Sequence, residues 1–342
     1  MNLKTLLLLV FTLGYAFGNA QTVLPLFQDT TPLSIHIYAD MRKLVKDVAD
    51  ERDYHEATIH FRNPNADSVI FPVRLKTRGN FRRNRINCNF PPIRLNFQKD
   101  TMEGTLFEGI NKVKLVTHCQ QKRMRYEQIV LQEHIIYQAY EAVSPYHYKT
   151  RLARVHYHDT RLPNETIVRW GLFIEPTKVM AKRYDATSVK SPGLHPMNTD
   201  TFNSELLYLF EYMVGNTDFS IPFQHNVKLI KTTARTLPIP VPYDWDWSGW
   251  IAAPYAKPSP KLGLVSVTQR LYRGFCWPED EMLAKVQWLR DHKEQLLAIV
   301  NNEPCLHPKT RKTMLAYLHG FFKIADNPKL VKRNILDACR TE

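Results

Sequence analysis

Several features that mark common protein classes are missing from this sequence. Beyond residues 1–20, no apolar run is long enough to cross a bilayer. No CxxC pair occurs, and the histidines are too scattered to form a zinc motif. There is no nucleophile elbow, no glycine-rich phosphate loop of the common types, no internal repeat and no low-complexity segment. These absences exclude the usual zinc modules and the common hydrolase and nucleotide-loop signatures.

The first residues predict a secretory signal. Lys4 supplies the positive start, residues 6–11 form an apolar stretch, and Gly18, Asn19 and Ala20 form a small-residue cleavage site. We therefore expect an exported chain, periplasmic or extracellular, that is cleaved near Ala20. The full chain carries a net charge of +13, and removing Lys4 with the signal leaves +12. This basic balance favours anionic partners such as phosphates, acidic glycans, lipid head groups or nucleic acid.

Because export delivers the chain to an oxidising compartment, we expect disulfide bonds among the five cysteines. Cys88 and Cys119 both fall in a strand-rich half, and Cys305 and Cys339 both fall in a helical tail. We predict those two pairs, with Cys276 free, although spacing alone leaves other pairings open.

The order of elements predicts an α+β fold with two lobes. Residues 21–175 contain short segments rich in β-branched and aromatic residues, together with one long helix over 123–143. Residues 176–342 are mainly helical, with helices predicted over 205–214, 279–300, 309–324 and 328–339. The strands are predicted at 34–38, 57–61, 69–76, 93–97, 112–116, 152–157 and 167–174. Two such halves would enclose a cleft, where ligands commonly bind.

An acidic hairpin opens the second half. Asp218 and Asn226 precede a short strand over 227–230, and a second strand over 237–243 leads to Asp244 and Asp246. Because strands joined by a turn bring their outer ends together, we expect these four residues to lie side by side. Carboxylate and amide oxygens suit a hard divalent cation on phosphates, and one carboxylate can orient an attacking hydroxyl.

Ordinary turn chemistry is the alternative reading of the hairpin, because Asp, Asn and Gly are frequent in turns for backbone reasons. In strict strand alternation Asp244 and Asp246 would share one face, and Tyr243, Trp245 and Trp247 the other. Paired carboxylates on one face repel each other and require a cation, an arginine or a raised pKa.

A basic segment runs from Arg74 to Arg94 and holds seven Lys and Arg residues with no acidic residue. Gly79 lies in its turn, beside Arg78. Backbone N–H groups and guanidinium groups at such a turn can bind phosphate, or the segment can be a solvated basic loop. Nucleic acid is not favoured, since no recognition module is visible and export is expected.

The stretch MVGNTDFSIPFQHNVKLI followed by PVPYDWDWSG resembles the CotH spore-coat protein kinase family and its exported bacterial relatives. RLKTRGNF, PPIRLNF and WGLFIE occur in the order of that family, so the resemblance covers roughly residues 72–249. It implies a bilobal, atypical protein-kinase-like fold that transfers phosphate from ATP to serine with Mg²⁺ or Mn²⁺.

The resemblance also implies roles for individual residues. Asp218 would be the catalytic base, and Asn226 with Asp244 or Asp246 would hold the metal. Lys76, Arg78 and Gly79 would form the phosphate-facing turn, with Lys112 and Lys114 as rivals to Lys76. Two glutamates each have two possible roles. Glu133 would pair with the phosphate-binding lysine or be an ordinary exposed helix residue. Glu175 would lie at a hinge between the lobes or cap a strand.

Three hypotheses follow from these residues. The first is an exported, ATP- and metal-dependent kinase that acts on serine of a protein acceptor. The second is a non-catalytic protein of the same fold that binds an anionic component of the cell envelope. The third is a metal-dependent hydrolase of phosphoesters or glycans.

Overall fold

The computed structural model describes residues 23–63, 65, 67–98, 102–162 and 164–341. The predicted secretory signal lies outside these ranges. Seven strands form a closed barrel in the order β1-β2-β3-β4-β5-β7-β6. They are β1 (Leu33–Ala39), β2 (His55–Arg62), β3 (Ser68–Thr77), β4 (Ile93–Asn96), β5 (Lys112–Val116), β6 (Thr150–Asp159) and β7 (Thr166–Ile174).

Alternation along the strands fills the barrel with apolar side chains. In β1, Ile35, Ile37 and Ala39 are buried inside, whereas His36 and Tyr38 lie on the outer face. Neighbouring strands pair antiparallel, except that β1 pairs parallel with β6, from Leu33 opposite Ala153 to Ala39 opposite Asp159. That parallel pairing closes the barrel.

A second sheet has three strands in the order β10-β9-β8. These strands are β8 (Ala186–Val189), β9 (Val227–Thr232) and β10 (Ile239–Pro242). The helices are α1 (Met41–Lys46), α2 (Met124–Val143), α3 (Thr177–Arg183), α4 (Thr201–Val214), α5 (Glu279–Asp291), α6 (Lys293–Asn301), α7 (Pro308–Ala325) and α8 (Pro328–Val331). Among the described residues, every helix is too short or too polar to span a bilayer.

Two hydrophobic clusters organise the chain. One fills the barrel, and the other joins α2, α4, the second sheet and the helical tail. The long helix α2 is buried on most of its circumference because it packs against β6 and β7 on one side and against α6 on the other. It thus belongs to the core of the helical half, although it lies between β5 and β6 in sequence.

The α+β class is confirmed, but the strand-rich half is a closed barrel and not clearly one lobe of a bilobal kinase. Barrel closure depends on β1 meeting β6, which lies more than a hundred residues further along the chain, and no local pattern encodes it.

The predicted helix over 279–300 is divided at His292 into α5 and α6. The last predicted helix is a single turn, α8, followed by a π-helical turn over Lys332–Leu336.

One predicted disulfide is present and the other is wrong. Cys88 and Cys119 are bonded, as expected. In the tail, Cys276 pairs with Cys339, and Cys305 is free. The reason is a short parallel bridge between Phe275 and Arg340, which aligns the two chain segments next to these cysteines. The disulfides agree with an oxidising destination.

We expect the Cys276→Ser/Cys339→Ser variant to unfold more easily than the wild-type chain. The bond closes a loop with a sequence separation of 63 residues, so its loss should cost about 4 kcal/mol of unfolding free energy. Denaturant titration would measure this loss. Cys305→Ser is the control and should change stability little; equal destabilisation by both variants would contradict the assigned pairing.

Candidate active site

The loop from Asp218 to Asn226 begins where α4 ends. Gly215 closes α4 with φ +65°, and a Cβ at this position would lie 2.0 Å from the Tyr317 hydroxyl, so only glycine fits. Asn216 then accepts a hydrogen bond through Oδ1 from the backbone N–H of Asp218 (3.0 Å). Two backbone hydrogen bonds between Ser220 and His225 close the loop as a small bridge.

Asn226 is oriented by Asp218. Its Nδ2 donates to the backbone oxygen of Asp218 (2.7 Å) and to the Asp218 Oδ2 atom (3.1 Å). The amide oxygen is therefore the atom of Asn226 that remains to accept a ligand. Asn226 has φ +52°, Gln224 has φ +48° and Asp244 has φ +69°. Left-handed backbone at three non-glycine residues within one site is costly and typical of functional sites.

Pairing of β9 with β10 joins the loop to the acidic segment. Val227 lies opposite Pro242, and the backbone N–H of Tyr243 donates to the oxygen of Asn226 (2.9 Å). Asp218, Asn226, Asp244 and Asp246 consequently line one cavity of about 460 Å³. The structure thus places together the four residues that the hairpin pattern singled out.

The segment after β10 does not continue the strict alternation of a strand. Asp244 adopts left-handed backbone, and Tyr243 and Trp247 line the cavity together with the two aspartates. Only Trp245 faces away, with its Nε1 donating to both carboxylate oxygens of Glu211 (3.1 and 3.0 Å). The expectation that all three rings oppose the carboxylates is therefore wrong for Tyr243 and Trp247.

Asp246 is buried and held by two neighbours. The Tyr255 hydroxyl donates to its Oδ2 atom (2.8 Å), and Arg82 Nη1 lies 3.9 Å from the same oxygen. Burial and the nearby charge of Asp244 raise the pKa of Asp246 to about 7. Asp246 therefore holds a proton more tightly than an exposed aspartate does.

Cations form the opposite wall of the cavity. Arg78, Gly79 and Arg82 come from the turn between β3 and β4, where Gly79 has φ +88°. Arg82 is buried and also donates to the backbone oxygen of Thr117. Phe81 of the same turn packs edge-on against Trp247, with ring centroids 5.0 Å apart. The basic turn is therefore in direct contact with the acidic segment.

Of the rivals Lys76 and Lys114, the structure brings Lys114 to this region. It projects from β5 over the ring of Tyr243, with Nζ 4.7 Å from the ring centroid. Burial and the positive charge of Arg78 lower the pKa of Lys114 to about 7, while the charge of Asp244 opposes this shift. The rival Lys76 instead lies over the ring of Tyr54, 5.3 Å from its centroid.

Glu133 of α2 is fully buried, so the alternative of an exposed helix residue is wrong. Neither of its carboxylate oxygens has a hydrogen-bond partner among the described residues. Burial, Asp244 and Asp246 raise the pKa of Glu133 well above its usual range, and Arg82 opposes this shift. One helical turn further along the same face, Tyr137 accepts a hydrogen bond from the backbone N–H of Asp244 (3.1 Å).

Glu175 directly follows β7 and does not line the cavity. Its carboxylate accepts two hydrogen bonds from Arg183, at 3.1 and 2.9 Å, and one from the backbone N–H of Lys149 (2.9 Å). This buried network fixes Arg183, at the end of α3, against the end of the barrel. These contacts supply the hydrogen bonds of the Glu175 carboxylate without a ligand.

Sequence reasoning missed three residues that shape the site: Arg82, Tyr255 and Glu211. Arg82 was one of many arginines in a basic run, and Tyr255 follows the acidic segment without a motif. Glu211 lies near the end of α4, between the apolar or aromatic residues Phe210 and Tyr212. A carboxylate among such residues was the local signal available for it, and Glu205 of the same helix is buried as well.

A divalent cation fits the donor set by its chemistry. Asp244 and Asp246 offer carboxylates, and Asn226 offers its amide oxygen, which are ligands of the type that Mg²⁺ and Mn²⁺ prefer. Glu133, whose carboxylate oxygens have no hydrogen-bond partner among the described residues, is close enough to Asp244 and Asp246 for their charges to raise its pKa. No group of three or more His, Cys, Asp or Glu side chains within the described ranges is arranged to hold a metal. The amide oxygen of Asn226 would be a third ligand beside the two carboxylates.

No family model matches the chain, and no curated protein matches it. Among solved structures, the chain is similar to that of the Helicobacter pylori proinflammatory kinase CtkA, at 11% identity and a TM-score of 0.39. The alignment covers 73% of this chain and 92% of that chain. A likeness at this level says nothing about activity or ligands.

Glu211 should make stability depend on pH. Burial raises the pKa of Glu211 to about 8 in the folded protein, so the folded state binds the proton more tightly than the unfolded state. Its contribution to stability is present in full below its ordinary pKa of 4.5 and is lost progressively as the pH rises from there to about 8. We expect Glu211→Gln to gain stability relative to the wild type between pH 5 and pH 8, by on the order of a few kcal/mol.

Denaturant titrations of both proteins at several pH values would measure this difference. Glu294→Gln, at an exposed position of α6, is the matched control and should show no such trend. A difference between wild type and Glu211→Gln that stays constant from pH 5 to pH 8 would contradict the assignment of Glu211 as a buried titrating group.

Proposed function

We propose that this chain is an exported kinase-type enzyme that transfers phosphate from ATP to serine of a protein acceptor in the presence of Mg²⁺ or Mn²⁺. The observation that carries the proposal is the composition of the cavity. Asp218, Asn226, Asp244 and Asp246 line it together with Arg78 and Arg82. Phosphoryl transfer depends mainly on such positioning and on charge stabilisation.

The order of these parts along the chain supports the proposal. In protein kinases a loop covers the phosphates, a strand lysine and a helix glutamate follow, and a catalytic aspartate, an asparagine and a metal-binding aspartate come later. Here the turn between β3 and β4 is followed by Lys114 and Glu133. Asp218, Asn226 and Asp244 come after them. The spacing of eight residues from Asp218 to Asn226 is longer than the usual kinase loop.

Each group would have a separate task. Asp218, half-buried at the cavity wall, would accept the proton of the serine hydroxyl as the new oxygen–phosphorus bond forms and the bond to the leaving diphosphate breaks. Arg78, Arg82 and Lys114 would attract the phosphate oxygens. A divalent cation, when bound by Asn226, Asp244 and Asp246, would neutralise charge on the phosphates.

A second candidate is a non-catalytic protein of the same fold that binds nucleotide or another anion. The observation in its favour is that both carboxylate oxygens of Asp218 are already engaged. His225 Nε2 lies 3.0 Å from Oδ1, and Asn226 bonds Oδ2. The bond to Asp218 raises the pKa of His225, which favours the charged pair.

Nucleotide binding should depend on metal and on Asp246. Isothermal titration with ATP plus Mg²⁺ or Mn²⁺ should show binding to the wild type, and Asp246→Ala should weaken it by roughly tenfold or more, because one of two carboxylate ligands is lost. Asp280→Ala, at an exposed position in α5, is the matched control. Absence of nucleotide binding with every metal tested would remove the kinase proposal.

Phosphate transfer should depend on Asp218. We expect Asp218→Ala to retain nucleotide binding but to lower transfer of radiolabel from ATP to serine by about 10²-fold or more, since the proton acceptor is removed. Incorporation of label into the exported protein fraction would be the measurement. Binding of nucleotide without transfer, in wild type and variant alike, would favour the non-catalytic candidate.

A further inference from the structure

A second groove adjoins the candidate active site. It has a volume of about 650 Å³ and lies between the start of α3, the end of β8 and the tip of the loop from Asp218 to Asn226. Gln224 lines both this groove and the cavity of the active site. A ligand in the groove would therefore extend directly towards Asp218.

Three lysines give the groove a positive surface. Lys178, Lys190 and Lys228 line it, and no carboxylate is among its lining residues. None of the three lysines forms a salt bridge with the described part of the chain. Lys228 is half-buried, and burial together with the charge of Lys190 lowers its pKa. The cluster thus lacks the negative partner that would stabilise it.

The loop adds an apolar group and a polar group to the same groove. Phe223 is 87% exposed at the tip of the loop, an unusual position for a phenylalanine. The Nε2 atom of Gln224 is buried and has no hydrogen-bond partner among the described residues. A buried donor without a partner is costly. The Nε2 atom is therefore suited to donate a hydrogen bond to a ligand at the junction of the groove and the cavity.

We propose that this groove binds an acidic segment of the acceptor polypeptide, next to the serine that enters the active site. This inference rests on the proposed function and names the class of acceptor. An extended peptide fits all three features: its carboxylates pair with the lysines, a carbonyl oxygen accepts from Gln224, and an apolar side chain contacts Phe223. The nucleotide phosphates have their own cations, Arg78 and Arg82, which line the adjoining cavity.

The test measures peptide binding by fluorescence anisotropy, without nucleotide or metal. The probe is a labelled synthetic peptide with one serine and one leucine between runs of glutamate; the comparison probe has glutamine in place of glutamate. We expect the wild type to bind the acidic probe more tightly than the neutral one. Lys178→Gln/Lys190→Gln/Lys228→Gln should weaken binding of the acidic probe by roughly tenfold or more, because three ion pairs are lost together.

The matched control is Lys312→Gln/Lys323→Gln/Lys329→Gln, which removes the same charge from exposed positions in the helical tail. Equal effects of the two triple variants, or equal affinity of the wild type for both probes, would overturn the proposal. The variant Lys178→Gln/Lys190→Gln/Lys228→Gln is called the groove variant. If it lost ATP binding but bound the peptide as the wild type does, the proposal would also be overturned, and the groove would be assigned to the nucleotide.

Because the peptide assay requires neither ATP nor metal, its result is separable from the test of the kinase proposal. Peptide binding that depends on the groove lysines would support the acceptor site even if phosphate transfer failed. Binding of vesicles containing anionic lipid by the wild type, lost in the groove variant while the acidic peptide does not bind, would overturn the proposal in favour of a membrane surface.

Discussion

The pairing of β9 with β10 is the interaction on which the rest of the site depends. Asn226 stands directly before one strand, and Tyr243 stands directly after the other, joined by a backbone hydrogen bond. This single register sets the separation between the loop of Asp218 and the segment of Asp244 and Asp246. A shift by one residue would exchange which side chains face the cavity. The buried strands of this small sheet hold the register.

Behind the hairpin, Glu211 supports both acidic segments from one position in α4. Its carboxylate accepts from the indole of Trp245, between the two aspartates, and its backbone oxygen accepts from the N–H of Asn216 at the start of the loop. Arg273 donates to the backbone oxygens of Thr217 and Phe219 on either side of Asp218. These contacts of Glu211 and Arg273 fix the acidic segments in place and oppose the repulsion between the aspartates.

Local patterns in the sequence were sufficient for much of this fold. Short segments rich in β-branched and aromatic residues predicted the barrel strands, and apolar spacing with Gly215 predicted α4. The hairpin predicted that Asp218 and Asp244 approach each other. What the sequence did not predict are contacts between distant segments: the parallel pairing of β1 with β6, the bond between Cys276 and Cys339, and the burial of Glu133. Such contacts depend on how whole elements pack, which no short window of residues encodes.

A disulfide bond cross-links the basic wall of the cavity. The positions of both cysteines in the strand-rich half predicted this bond. The turn that carries Arg82 continues to Cys88, which is bonded to Cys119 just after β5. Thr117, two residues before Cys119, accepts from Arg82 through its backbone oxygen. The guanidinium and the backbone that anchors it are thus tied by one covalent link, which forms only where thiols can be oxidised. The rigidity of this wall therefore depends on the redox state of its surroundings as well as on its packing.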